Sequence, residues 1–272
     1  MRRVRELAEH VYFLLCLGLG RLLRSGRYSE TRTVDRDGEP EVRKRRLFYA
    51  PLLVWMGGPL VRFLDAGVRV LPQRDWEGRE RQISQRLHGT AIRIEADGTL
   101  VLPRLAGETL ATLLEDPELA ESDRKRAIEL AVVALAEFHR VGLTHADAMA
   151  ENVLVDLEAG VAHWIDFETV HDSSRPMAWR RADDLRALLA TCLVRTVPAQ
   201  VAETFHLILD TYQDQGVMRQ MATSFTSVLR RPLAFHLAQA GLSFRRHREI
   251  ARLWSARLGE QPLRPSEDSD GR

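Results

Sequence analysis

The order of patterns along the 272 residues predicts an α+β protein in two lobes, a small strand-rich one with one main helix and a larger helical one. Three observations carry this expectation. Two hairpin signals, Asp37-Gly38 and Asp97-Gly98, sit between short alternating segments in the first 105 residues. Between them runs one helical pattern, with Trp76, Ile83 and Leu87 on one side and Gly89 as its stop. From residue 106 the periodicity is helical almost throughout, interrupted once by two β-like pieces around the turn DLEAG.

The pattern divides the chain into an apolar, basic helix over 1–26, a first lobe over 27–105, a second over 106–258 and a frayed tail over 259–272. Residues 27–46 read as a hairpin, TRTV and EPEVRKRR around DRDG. Residues 91–94 and 99–102 flank the second turn. Ile128, Val132, Leu135 and Phe138 recur at helical spacing over 124–140. Residues 152–155 and 162–165 are the β insertion, and amphipathic helix runs from 182 to 257. The tail has almost no apolar residues.

Composition narrows the class. With 45% hydrophobic and 28% charged residues, the chain is an ordinary globular protein, not collagen-like, disordered or disulfide-built. Its 39 basic and 38 acidic residues leave +1, so no global field calls for nucleic acid. Two distant cysteines, Cys16 and Cys192, form no metal pattern and suit a reducing cytosol. Of the basic residues 37 are Arg, and only Lys44 and Lys125 are Lys. The first 46 residues carry twelve basic against seven acidic groups, around an apolar run at 11–20. That run is half the length of a membrane span, and Glu6 and Glu9 spoil a signal peptide. A second apolar stretch, 47–61, is broken by Pro51 and Gly57-Gly58. Two readings follow: helices packed on the protein's own core, or peripheral contact with an anionic bilayer by a cytoplasmic protein at the inner face of its membrane.

The chemistry concentrates in 138–168, FHRVGLTHADAMAENVLVDLEAGVAHWIDFE. Asp147 lies just past a helix, Asn152 opens a short strand and Asp166 closes the next, so a hairpin gathers all three at one end. Two carboxylates and a carboxamide there make an oxygen-rich site suited to Mg²⁺.

HADAMAEN resembles the catalytic loop of the protein-kinase-like superfamily, His-x-Asp followed by four residues and Asn. IDFE, with Asp166 fourteen residues beyond Asn152, resembles its metal-binding Asp-Phe-Gly segment, and the match is nearest to the bacterial lipopolysaccharide (Kdo-type) kinase branch. The resemblance spans roughly 28–200 and is concentrated in 138–190. It implies a bilobal protein-kinase-like fold, ATP and Mg²⁺ as cofactors, and a hydroxyl-bearing acceptor such as a glycolipid sugar. By the same resemblance Asp147 accepts the proton of the attacking hydroxyl, and Asn152 and Asp166 hold the metal. His145 organises the loop, and Asp184, with Asp183 as its competitor, ties the loop down from a helix. A strand lysine must address the nucleotide phosphates, and Lys44 in VRKR stands where it belongs, with Arg69 as the fallback cation. Glu80, or else Glu77, is its partner on the following helix, and LVLPRL at 100–105 looks like the edge strand and hinge whose backbone would bind adenine.

Departures from the pattern are specific. No G-x-G-x-x-G lies between plausible strands, Glu168 replaces the glycine of Asp-Phe-Gly, and no long activation segment separates Glu168 from Trp179. The last point speaks against a regulated eukaryotic-type protein kinase. The expected function is phosphoryl transfer from ATP to a lipopolysaccharide or glycolipid hydroxyl. The alternatives are a kinase of a small metabolite, an antibiotic or a protein serine, and a pseudokinase that binds nucleotide or a partner.

Overall fold

The computed structural model describes residues 29–36, 39–48, 67–226, 236, 240–241 and 244–260. Two strands, β1 (Ser29–Arg36) and β2 (Glu39–Arg46), form the first hairpin, paired antiparallel from Ser29↔Arg46 to Arg36↔Glu39. The Asp37-Gly38 turn, the 1–26 segment and most of the apolar 47–61 stretch lie outside the described residues. After β3 (Val68–Val70) comes helix α1 (Gln73–His88), which stops at Gly89 in the left-handed conformation. Strands β4 (Arg93–Ile94) and β5 (Leu100–Pro103) flank the second turn and complete a four-stranded sheet in the order β1-β2-β5-β4.

The sheet order corrects one expectation. The 100–105 segment does not form an edge strand: β5 lies inside, with β2 on one side and the two-residue β4 on the other. Both Leu100 and Val101 are buried, which alternation over so short a run does not foretell.

Beyond the sheet the chain is largely helical. Strand β6 (Glu108–Thr109) leads into α2 (Leu110–Glu115), whose first turn is capped by the Thr109 hydroxyl accepting from Thr112 N–H at 3.1 Å. Helix α3 (Glu121–Arg140) follows, then strands β7 (Val153–Asp156), β8 (Val161–Trp164) and β9 (Thr169–His171). Four helices complete the described chain: α4 (Met177–Arg195), α5 (Val201–Thr211), α6 (Gln215–Thr226) and α7 (Phe244–Glu260). Helix α7 runs through Gly259 and Glu260, the first two residues of the segment expected as a frayed tail. The remainder, 261–272, is outside the described residues.

Sheet and helices are joined by pairing that spans the sequence. Strands β6, β7 and β8 form one small sheet, and β3 pairs antiparallel with β9 about a hundred residues away, Val68 opposite His171. Gly107 approaches the backbone of Val155 so closely that a Cβ there would meet its carbonyl oxygen at 2.5 Å. The apolar interior falls into a small cluster under the four-stranded sheet (Leu71, Trp76, Ile92, Leu100) and a large one built mainly on α2 to α7. The architecture is α+β.

Candidate active site

Strand period two decides which of the residues in RKRR face inward. Lys44 is buried at 5% exposure, while Arg43 and Arg45 point to the opposite face and pair with Glu95 and Asp97. The Lys44 ammonium reaches across the molecule to Asp166 Oδ1 at 2.5 Å and Glu168 Oε1 at 3.2 Å. Burial alone would depress this ammonium, but Asp166, Glu80 and Glu168 more than offset it and hold it above its ordinary value.

The direct ion pair expected between Lys44 and Glu80 is not the contact that forms. Glu80, buried on α1, accepts instead from the Phe167 N–H at 3.0 Å, and so holds the backbone of the Asp-Phe-Glu segment. Two carboxylates from that segment lie closer to the ammonium, and Glu80 acts on it through the field. Glu77 lies elsewhere on the helix, hydrogen-bonded by the Gln73 amide at 2.6 Å.

Asp147 sits half-buried in the loop after α3. The Asn152 side-chain amide donates to its Oδ2 at 2.9 Å and to its backbone carbonyl at 2.8 Å, fixing the carboxylate against its own loop. Burial, then the neighbouring Asp166 charge, push the Asp147 carboxyl up to about 7, with Asn152 holding it down in part. The loop is joined to the metal-type segment by Ile165 N–H donating to the Asn152 carbonyl at 2.9 Å. Asp166 itself has φ +69°, a left-handed conformation uncommon outside glycine and one that costs on the order of 1 kcal/mol.

Asp184 anchors this loop from α4. Its two oxygens accept the backbone N–H groups of His145 at 2.8 Å and Ala146 at 2.7 Å, and Ala146 too is left-handed at φ +69°. His139 Nε2 lies 2.9 Å from Asp184 Oδ2, and its Nδ1 lies 2.6 Å from the Tyr212 hydroxyl. A carboxylate only accepts, so in the neutral ring Nε2 carries the proton and Nδ1 receives one from Tyr212. Burial disfavours the Asp184 carboxylate, yet His171 and His139 hold it below the usual carboxylate range. Asp183, the competitor, turns to His236, His171 and Arg186 instead. Neither aspartate caps a helix, since the cap position of α4 is Pro176.

His145 is fully buried. Its Nε2 donates to the Ile165 carbonyl at 2.9 Å, its Nδ1 has no partner, and burial pushes its pKa down to about 4. A ring so held is neutral near pH 7 and fastens the loop to the strand before Asp166.

Two contributors are not evident from sequence. Glu168 counts there only as a lost glycine, yet its carboxylate shares Lys44. Arg79 on α1 donates to the Thr144 carbonyl at 2.7 Å, tying the helix to the catalytic-type loop. Its position one residue before Glu80 is the only signal, and nothing local names its distant acceptor. Arg69, the fallback cation, lies on β3 paired with Val170, while Lys44 holds the central position.

The donor set fits Mg²⁺. Asn152 and Asp166 present oxygen, and an ammonium already rests on Asp166 as a cation would. Among the described residues no group of three or more His, Cys, Asp or Glu side chains could hold a metal unaided. Mg²⁺ commonly takes one or two carboxylates and completes its shell with substrate phosphates and water.

A comparison with curated proteins found no match. Residues 90–209, which hold Asp147, Asn152, Asp166 and Asp184, match the model of the lipopolysaccharide kinase (Kdo/WaaP) family, and the chain is accordingly a kinase, a phosphotransferase with a hydroxyl acceptor.

Proposed function

We propose that the protein has the bilobal protein-kinase-like fold and transfers the γ-phosphoryl group of ATP, with Mg²⁺, to a hydroxyl of a lipopolysaccharide or related glycolipid sugar. The observation that carries this is the convergence of Asp147, Asn152, Asp166 and Lys44, drawn from a loop, a hairpin and a distant strand. Phosphoryl transfer asks a protein mainly to position groups and offset charge. Asp147, oriented by Asn152, accepts the proton of the acceptor hydroxyl and sets that oxygen in line. Its carboxyl, at about 7, is matched to proton transfer near neutral pH. Lys44 exchanges Asp166 and Glu168 for nucleotide phosphates as a compact point charge. Asn152 and Asp166 would hold Mg²⁺, which when bound offsets the negative charge on the phosphate oxygens.

The acceptor reading rests on the family of residues 90–209 and on the basic, apolar character of residues 1–26, which suits peripheral contact with the inner face of an anionic membrane. No helix among the described residues is long and apolar enough to cross a membrane. Two observations favour a second reading, a nucleotide-binding pseudokinase: Lys44 is already occupied by two carboxylates, and no glycine-rich phosphate loop is legible.

A thermal-shift titration separates these readings from no nucleotide function at all. Mg·ATP at a hundredfold over its Kd should stabilise the chain by about 3 kcal/mol. Asp147→Ala should keep that shift and lose phosphoryl transfer by at least about a hundredfold. No shift at millimolar Mg·ATP sinks the kinase site, and surviving transfer in the variant removes Asp147 as the base.

A further inference from the structure

Arg46 is the residue of β2 that follows Lys44 on the same face. Its guanidinium carbon stands 5.0 Å from the centre of the Trp76 ring, and the Lys44 ammonium stands 5.3 Å from that ring. The two cations share one aromatic floor, and their circumstances differ. Lys44 is engaged by two carboxylates. Arg46 keeps Nε and Nη2 buried with no hydrogen-bond partner, and it is the one arginine among the described residues with two such nitrogens.

Guanidinium donors are rarely withdrawn from water without an acceptor, because each unmade bond forfeits its solvation. Packing does not require that sacrifice here: a methionine or leucine would cover Trp76 at no polar cost. Direction matters as well. The carboxylates that attract this guanidinium are Glu168, then Asp166 and Glu77, so it shares Glu168 and Asp166 with Lys44. Next to Asp166 the oligophosphate of a nucleotide brings several negative charges, and the chain offers no legible glycine-rich loop to supply backbone N–H groups for them.

We propose that Arg46 is a phosphate-binding residue, a second cation beside Lys44 whose planar fork takes oxygens of the nucleotide's phosphate chain. A guanidinium presents two parallel donors to a phosphate, which an ammonium does not. Lys44 supplies a movable point charge, and Arg46 supplies oriented donors in place of a backbone loop. This inference rests on the nucleotide site proposed above.

Calorimetric titration of the full chain with Mg·ATP and, separately, with adenosine tests it in wild type, Arg46→Met and Arg46→Lys. Methionine keeps an apolar stem over Trp76, so the fold is retained while the donors are removed. Arg46→Met should weaken Mg·ATP by about tenfold or more and leave adenosine unchanged, and Arg46→Lys should recover only part of the loss. Unchanged Mg·ATP affinity in Arg46→Met overturns the assignment and leaves the kinase reading intact. An equal loss for adenosine also overturns it, because the side chain then acts through the fold. Failure of the wild-type chain to bind Mg·ATP is a different result, which strikes the nucleotide site itself.

Discussion

Lys44 is the residue whose type alone singles it out. In a chain with 37 arginines and two lysines, a lysine on a strand invites a specific reason. Its burial at 5% and its grip on Asp166 supply one. Lys44→Arg keeps the charge but forces a planar fork into a space shaped for a compact ammonium. A loss in kcat/KM of about tenfold or more is expected, with Tm little changed, and full activity would mean that any cation serves. His145 allows a second test at this scale. Between its folded pKa of about 4 and the ordinary value near 6.5, the unfolded chain binds a proton that the folded chain refuses. Stability from this group is therefore lost as pH falls, by about 2 kcal/mol between pH 7.5 and 5. Asp147, with a raised pKa, works in the opposite sense, but it is present in both proteins when wild type is compared with His145→Gln. Urea unfolding at the two pH values should show the smaller acid loss in the variant, and equal losses would refute the neutral buried ring.

Among the elements, α4 and the loop it anchors depend on each other most directly. Asp184 takes two backbone N–H groups of the loop, so Asp184→Ala strands buried donors at His145 and Ala146 and removes the partner of His139. The expected cost is about 3–5 kcal/mol. In chemical denaturation a change under about 1 kcal/mol would show that the loop holds its left-handed Ala146 without this helix. Legibility varies among elements for identifiable reasons. The β1–β2 hairpin and α1 are readable because Asp-Gly turns and a glycine stop are local signals. The place of β5 is not, since a strand acquires its neighbours from elsewhere and β4 is only two residues long. The three-residue pairing of β3 with β9 leaves no trace in the sequence.

For the whole molecule, the near balance of charge conceals an amino-terminal excess of basic groups, twelve against seven acidic in the first 46 residues. If residues 1–26 bring the chain to its acceptor, full-length protein should float with vesicles of anionic lipid, and a form lacking those residues should stay behind. The association should weaken with added salt, because screening shortens the reach of surface charge. Equal recovery of both forms away from lipid would withdraw the membrane from the account and leave the acceptor a soluble hydroxyl compound.

The catalytic-type loop is legible because its chemistry is local. His145, Asp147 and Asn152 lie within eight residues, and the hairpin that brings Asp166 back to them is short. The arrangement around Lys44 is not local. The ammonium spans 122 positions to reach Asp166, passes over Glu80 as a direct partner and engages Glu168, a residue notable in the sequence only for not being glycine. Residue types and short spacings specify which groups can do chemistry. Which of them meet depends on how the β2 strand, α1 and the Asp-Phe-Glu segment pack, and that follows from burial and sheet pairing summed over the chain.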